Sequence, residues 1–168
     1  MTGESDAESG RVLSLNISAG GVPKRAMRGI AIEFDGVVGD SQADRKHHGG
    51  PERAVCLYSA ELIEALSAEG HPVGAGTAGE NVTIAGLDWA LVVPGVRLTL
   101  GSAEVEVTSF TSPCKTISGS FLEGFFMRIS QAKNPGWSRV YARVLVCGYV
   151  TIGDTVALKS RGVAHSLP

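Results

Sequence analysis

Apolar and polar positions alternate along most of this chain with the period of strands rather than helices. From Arg11 to Ser18 the apolar residues Val12, Leu13, Leu15 and Ile17 alternate well enough to predict a first strand. Ala19-Gly20-Gly21-Val22-Pro23 breaks it, and Gly29 to Phe34 predicts a second strand. Arg53 to Tyr58 is a near-continuous apolar strand with Cys56 inside it, where a thiol is expected to serve the core. Ser59 then caps a predicted helix over Ala60–Glu69, with Leu62, Ile63 and Leu66 on one face and Gly70 ending it. Glu80-Asn81-Val82-Thr83-Ile84 reads as a short strand led by a carboxylate and an amide. Val96–Leu100 and Ala103–Thr108 alternate about Gly101-Ser102 as a hairpin. Phe121, Phe125 and Ile129, four apart, predict a second helix over Ser120–Lys133, stopped by Asn134-Pro135-Gly136. From Trp137 onward, Gly148 and Gly153-Asp154 punctuate three short strands.

Roughly seven or eight strands and two helices, with no regular βαβ rhythm, predict a mainly β protein whose antiparallel sheet closes, or partly closes, into a small barrel. Twenty-two glycines and seven prolines agree with a turn-rich β fold. The 168 residues suffice for one domain, expected over 11–159, between an acidic tail (1–10) and a C-terminal tail (160–168). A net charge of −2 argues against nucleic acid as a partner. No apolar run approaches the ~20 residues of a membrane span, and the polar start does not read as a signal peptide. Three cysteines with no CxxC predict a reduced, cytoplasmic protein without a disulfide framework or zinc ribbon.

Chemistry concentrates in four places. In V-T-S-F-T-S-P-C-K-T-I (107–117) the strand runs out at Pro113, which removes a donor and fixes its own φ. Cys114 is thereby held at a strand-to-loop junction, beside Lys115, whose charge favours the thiolate. The alternative is an ordinary loop thiol. Lys24, Arg25 and Arg28 place three cations within five residues, in or just after a glycine-bearing turn, which suits either an anion or plain solvation. The stretch 35–51, with four glycines, three aspartates and the adjacent His47-His48, is long for a hairpin loop. Two histidines pointing to opposite sides of an extended segment do not make a zinc site, so hydrogen bonding within the loop is expected of at least one. Glu80 and Asn81 offer an acceptor and a mixed donor–acceptor, or else close their own turn. Arg139 and Arg143 share strand parity, as a rim pair or as part of an anion site.

Taken in order, G-D-S-Q-A-D (39–44), H-G-G-P (48–51) followed by R-A-V-C-L-Y-S, G-E-N-V-T (79–83), S-P-C-K (112–115), R-V-Y-A-R-V-L and G-D-T-V-A-L resemble the stand-alone bacterial form of the MOSC domain. That family is named for the C-terminal region of molybdenum-cofactor sulfurase. The resemblance spans about residues 11 to 159. It implies a β-barrel that binds molybdopterin cofactor, with the family's reactive cysteine at Cys114 as molybdenum ligand. It further implies reduction of N-hydroxylated small molecules with electrons from a separate redox protein. Many bacterial relatives carry an arginine two residues before the proline, where this chain has Thr111. The anion contact is then either lost or supplied by Lys24, Arg25 or Lys115.

A soft thiolate suits a high-valent molybdenum centre. A pterin's phosphate and hydrogen-bonding edges could be met by Lys24, Arg25, Arg45, Lys46, His47, Glu80, Asn81, Lys115 and Arg139. His48, near an ordinary histidine pKa, could supply the proton that N–O cleavage consumes. The competing expectations are a carrier of sulfur or cofactor on a Cys114 persulfide, a cysteine hydrolase with His48 as base, and a binding module without turnover.

Overall fold

The computed structural model describes residues 9–20, 22–41 and 50–159. Eleven strands and one α-helix lie within them: β1 Ser9–Ile17, β2 Arg25–Met27, β3 Gly29–Glu33, β4 Gly36–Val37, β5 Val55–Ser59, α1 Ala60–Ala68, β6 Val82–Ala85, β7 Arg97–Leu100, β8 Ala103–Phe110, β9 Val140–Val146, β10 Gly148–Thr151 and β11 Thr155–Lys159. The large sheet runs β11-β7-β8-β9-β5-β6-β1-β2, and β1 also pairs with β11. That pairing closes seven strands into a barrel and leaves β2 as a flap on β1. A smaller sheet, β10-β3-β4, forms a separate ladder whose Ile30, Ile32, Val37 and Val150 join the same core.

The expected barrel is therefore present, with one parallel pair in it. β5 and β6 run parallel, Leu57 opposite Val82, because α1 carries the chain across between them. The helix begins where its cap predicts: Ser59 Oγ accepts from the Leu62 N–H at 3.2 Å. Ile63 and Leu66 face inward, and Gly70 takes a positive φ of 101° just past the end.

The barrel interior is filled by period-two positions. Leu15, Val55, Leu57, Val82, Leu98, Leu100, Val105, Val140 and Ala142 are all fully buried. Each such branched side chain contributes about 1.5–3 kcal/mol on removal from water. The first strand starts two residues before the alternation indicates. Ser9 pairs with Ala157, and Gly10 is pressed against the carbonyl of Ala85, where a side chain would collide.

The second predicted helix does not form. Lys115–Ser120, Leu122–Gly124 and Phe126–Ile129 are separate 3-10 turns. Glu123 and Gly124 adopt positive φ values of 54° and 71°, which interrupts a right-handed ladder. Phe121 and Ile129 still pack inward, whereas Phe125 is exposed, so the four-residue spacing reflects two anchors of a wound loop. His71 fixes this segment, accepting from the Leu122 N–H at 3.0 Å through Nδ1 with its ring edge-on to Phe121.

Candidate functional site

β8 delivers the loop that carries Cys114. Past Phe110 the ladder ends with Thr111 donating its N–H to Arg139 O at 2.9 Å. The Thr111 side chain is buried, with Oγ1 3.8 Å from Cys56 Sγ. Pro113 follows, and Cys114 is extended (φ −136°, ψ 169°) at the start of the Lys115–Ser120 turn, where its carbonyl accepts from Ile117 N–H at 3.1 Å. Ile117 is buried and anchors the turn, while Cys114 is partly exposed and Lys115 exposed. None of the three cysteines is in a disulfide.

Behind this loop lies a buried polar cluster. The turn from Gly76 to Glu80 is pinned from three sides: Lys24 N–H donates to Gly76 O (3.1 Å), Ser120 Oγ to Thr77 O (2.8 Å), and Arg139 Nη1 to Ala78 O (2.5 Å). Gly76 requires its lack of a side chain, because at φ 81° a Cβ would sit 2.8 Å from Lys24 O and 3.0 Å from the Asn16 side chain. Glu80, fully buried, accepts from the Gly76 N–H through Oε1, and its Oε2 has no hydrogen-bond partner. The Nε of Arg139, a residue only 5% exposed, has none either. Burial pushes the Glu80 carboxyl up to about 7, against the opposing pull of the Gly76 N–H, Arg139 and Lys24.

Asn81 is a staple. Its Oδ1 accepts from Cys56 N–H (3.0 Å), and its Nδ2 donates to Asn16 O (3.2 Å) and Asp40 Oδ2 (3.0 Å). Asp40 in turn holds Lys24 Nζ at 2.7 and 2.9 Å, and both side chains are 6% exposed. Lys24 therefore points into the cluster with its charge balanced, whereas Arg25, the next residue, lies exposed on β2. The two cations adjacent in sequence do not converge. Arg139 and Arg143 also part: Arg139 is in the buried cluster, and Arg143 sits outside against Glu106.

Cys56 is the core thiol expected of it. Desolvation raises its pKa, and the Arg139 charge offsets only part of that rise. Opposite it in register stands Tyr141, with Arg53 lying 5.7 Å over the ring. The Tyr141 phenol is pushed up, chiefly by burial, and both Cys56 and Cys114 are close enough to add to the rise. Arg53 also lines a cavity of about 500 Å³ together with Glu33, Asp35, Val37, Asp40 and Ser41, a volume in the range of small-molecule sites. Arg45, Lys46, His47 and His48, expected at the site, lie outside the described residues. Among the described residues no three of His, Cys, Asp and Glu converge as a metal-binding set. No helix among them is long and apolar enough to cross a membrane.

Sequence reasoning did not single out Arg53, Tyr141 or the Lys24–Asp40 pair. Arg53 read as the start of a strand and Asp40 as one of three aspartates in a long loop, and only the fold sets them beside β9 and Asn81.

The MOSC domain family model matches residues 44–157. A protein of Bacillus subtilis (strain 168) named YflK is 35% identical over 147 residues, which cover 84% of this chain and 64% of that protein. Protein YiiM of Escherichia coli (strain K12) is 30% identical over 131 residues, covering 75% of this chain and 57% of its own. The chain thus spans about three-fifths of the length of these curated relatives. The crystal structure of YiiM from Geobacillus stearothermophilus superposes with a TM-score of 0.72 at 26% identity, over 92% of this chain and 77% of that one. Its Escherichia coli counterpart, at 23% identity and a TM-score of 0.62, shares the fold. Closed barrel, motif order and these matches together show that the chain belongs to the MOSC domain family, which is associated with molybdenum-cofactor binding.

Proposed function

We propose that this protein binds molybdenum cofactor through Cys114 and reduces N-hydroxylated small molecules, receiving electrons from a separate redox protein in the cytoplasm. The observation that carries the reading is the partly exposed Cys114, presented at a strand end beside a cluster that keeps a buried acceptor and a buried donor unused. Glu80 Oε2 and Arg139 Nε are the kind of pair that a pterin edge, with its own donors and acceptors, would satisfy. No convergent protein ligand set competes with Cys114 among the described residues, which suits a metal whose other donors arrive with the cofactor.

In this reading the bound cofactor supplies the two-electron chemistry that N–O cleavage needs. Cys114 Sγ contributes the soft sulfur ligand. The exposed Arg25 and Lys115 supply positive charge for a phosphate, joined by Arg45 and His47 of the 42–49 segment. Lys24, balanced by Asp40, shapes the wall, and Asn81 holds Asp40 and β5 in register. The cavity beside Arg53 admits a planar base, and His48 is a proton donor from the same loop.

The test is metal analysis of wild type and Cys114→Ser purified from a host that makes the cofactor. Wild type should hold molybdenum and the variant should lose it while remaining folded, because a half-exposed loop thiol contributes little packing. Equal metal in both sinks the ligand assignment. Loaded wild type with an artificial reductant should convert benzamidoxime or hydroxylaminopurine to the amidine or amine. Molybdenum-replete protein inert on both substrates, but able to pass sulfur or cofactor to an apo-acceptor, establishes the carrier instead.

A further inference from the structure

We propose that His71 is a proton-controlled latch on the loop that carries Cys114: its neutral ring holds the loop through Nδ1, and a second proton on the ring releases it. The inference goes beyond the proposed function, because it concerns how Cys114 is presented and holds for any reaction that cysteine serves.

The fixed half of the latch is the end of α1. The His71 N–H donates to Leu66 O at 3.2 Å and the Glu69 N–H to Ala65 O at 3.1 Å, so both residues are tied to the last turn of the helix. The His71 side chain is 8% exposed, with the Phe121 ring edge-on at 5.3 Å. Its Nδ1 accepts from the Leu122 N–H at 3.0 Å, which requires Nδ1 to be unprotonated and places the proton of the neutral ring on Nε2. Nε2 lies 3.3 Å from Glu69 Oε2, an acceptor for that proton.

The movable half is the wound segment after Cys114. Its bonds are those of short 3-10 turns: Ile117 N–H to Cys114 O at 3.1 Å, Phe121 N–H to Ser118 O at 3.2 Å, and Gly124 N–H to Phe121 O at 3.0 Å. Glu123 and Gly124, at positive φ, keep these turns from joining into one helix. Their order is therefore imposed from outside. Ile117 and Phe121 are buried, Ser120 Oγ donates to Thr77 O at 2.8 Å, and His71 holds Leu122. Of these anchors only His71 changes its hydrogen-bonding character when it takes up a proton.

The charges around the ring give the released state a partner. Arg128 Nη2 and Nε donate to Glu69 at 2.7 and 3.0 Å, and the hydrogen bond with Arg128 holds the Glu69 carboxyl below the usual range. Glu69 thus stays a carboxylate while the ring takes up its proton. Among the described residues these are the charged groups at the ring. Glu69 favours the imidazolium, and Arg128, lying 4.0 Å over the Trp137 ring, opposes it from behind Glu69. With both nitrogens protonated, Nε2 still donates to Glu69, but Nδ1–H meets the Leu122 N–H donor to donor. One contact strengthens and the other is lost. Arg128 keeps Phe126–Ile129 tied to Glu69 in both states, so the release falls on the stretch between Cys114 and Leu122.

The test uses the full chain, free of cofactor, with Cys147→Ser removing the exposed thiol and Cys56 left buried. Across pH, the His71 ring is followed by NMR, Leu122 by amide hydrogen exchange, and Cys114 by its rate of alkylation with iodoacetamide. His71→Asn offers an amide oxygen near the place of Nδ1 and takes no proton. Rates are expressed relative to that variant at each pH, which cancels the intrinsic pH dependence of both reactions. The neutral wild-type ring should carry its proton on Nε2. As the ring titrates, Leu122 exchange and Cys114 alkylation should both rise about 3- to 10-fold over His71→Asn, the weight of one hydrogen bond, and with the midpoint of the ring. His71→Ala should show the raised rates at every pH. Rates that stay level with His71→Asn while the ring titrates overturn the latch, as does a neutral ring protonated on Nδ1. Faster Leu122 exchange with unchanged Cys114 alkylation overturns its reach to the cysteine. A ring that takes no second proton while the protein is folded overturns it as well. Should His71→Ala fail to fold, wild type against His71→Asn decides alone.

Discussion

Two glutamates on the same barrel, each near arginines, have been given opposite electrostatics. Glu106 on β8 receives Arg97 Nε at 3.1 Å and an Arg143 guanidinium N–H, and Glu52 and Lys159–Glu104 extend the charged surface around it. Desolvation nudges its carboxyl up, but the Arg97 hydrogen bond and the Arg143 charge outweigh that, and its pKa is lowered. Glu80 has arginine and lysine in range yet no direct ion pair, and burial dominates, so its pKa is raised. What separates them is burial together with contact geometry, since neither lacks positive neighbours. A charge that is hydrogen-bonded at the rim is settled as a charge, and one sealed inside without its bond is held near its neutral form. The division is not absolute, since Arg143 Nε at the rim also lacks a partner, but only at Glu80, among the described residues, is a buried carboxylate oxygen left without one.

The sharpest way to break the comparison is to unpair the ion pair that, among the described residues, is buried on both sides. Asp40→Ala leaves Lys24 Nζ, 6% exposed, without its partner, and also frees the Asn81 amide and the Ser18 N–H. Losing one member of such a pair costs about 3–5 kcal/mol. Urea unfolding should register a loss of this size. A loss below about 1 kcal/mol would mean that Lys24 escapes to solvent and that the cluster is less rigid than its bonds imply.

Next in size is the pH dependence of cofactor-free protein. Glu80 has a folded pKa of about 7, above the ordinary 4.5. Its stabilising contribution is therefore fully present below about pH 4.5 and is lost as pH rises to 7. Beyond that the penalty is constant at about 3 kcal/mol, from ~1.4 kcal/mol per pK unit. Glu80→Gln has no such penalty. Its stability relative to wild type should rise by most of that amount between pH 5 and pH 8, measured by urea unfolding at each pH. A difference that stays constant across the range contradicts the buried, proton-holding state.

How much of this was legible in the chain differs between barrel and site for a physical reason. Strand periodicity, the Ser59 cap and the Gly101-Ser102 turn are local signals, and the barrel followed from them. The placement of Cys114 just past a strand end was legible because Pro113 is a local signal. The helix over 120–133 was misread because Phe121 and Ile129 are anchored by His71 and the core, not by a continuous helix face. The polar cluster could be seen only in parts. Glu80 and Arg139 were singled out as candidate cofactor contacts, but that Oε2 and Nε are left without partners follows from the packing of elements far apart in sequence. Lys24 and Arg25 looked equivalent, but the extended backbone sends one inward and the other out.

The smallest expected effect belongs to Glu106, and its sign is opposite to that of Glu80. Its folded pKa lies below the ordinary value, so its contribution is present above about pH 4.5 and fades as pH falls through the folded pKa. Arg97 and Arg143 are each more than two-fifths exposed (42% and 43%), so solvent screens most of the Coulomb energy. Pairs of this kind contribute about 0–1 kcal/mol. Glu106→Gln should therefore cost no more than about 1 kcal/mol at pH 7, less at high salt, and progressively less as pH falls through the folded pKa of wild type. Glu80→Gln gains stability where Glu106→Gln loses it. Were both variants to lose stability at pH 8 and recover it in acid, Glu80 would be an ordinary paired carboxylate, and contact geometry would not be what distinguishes the two.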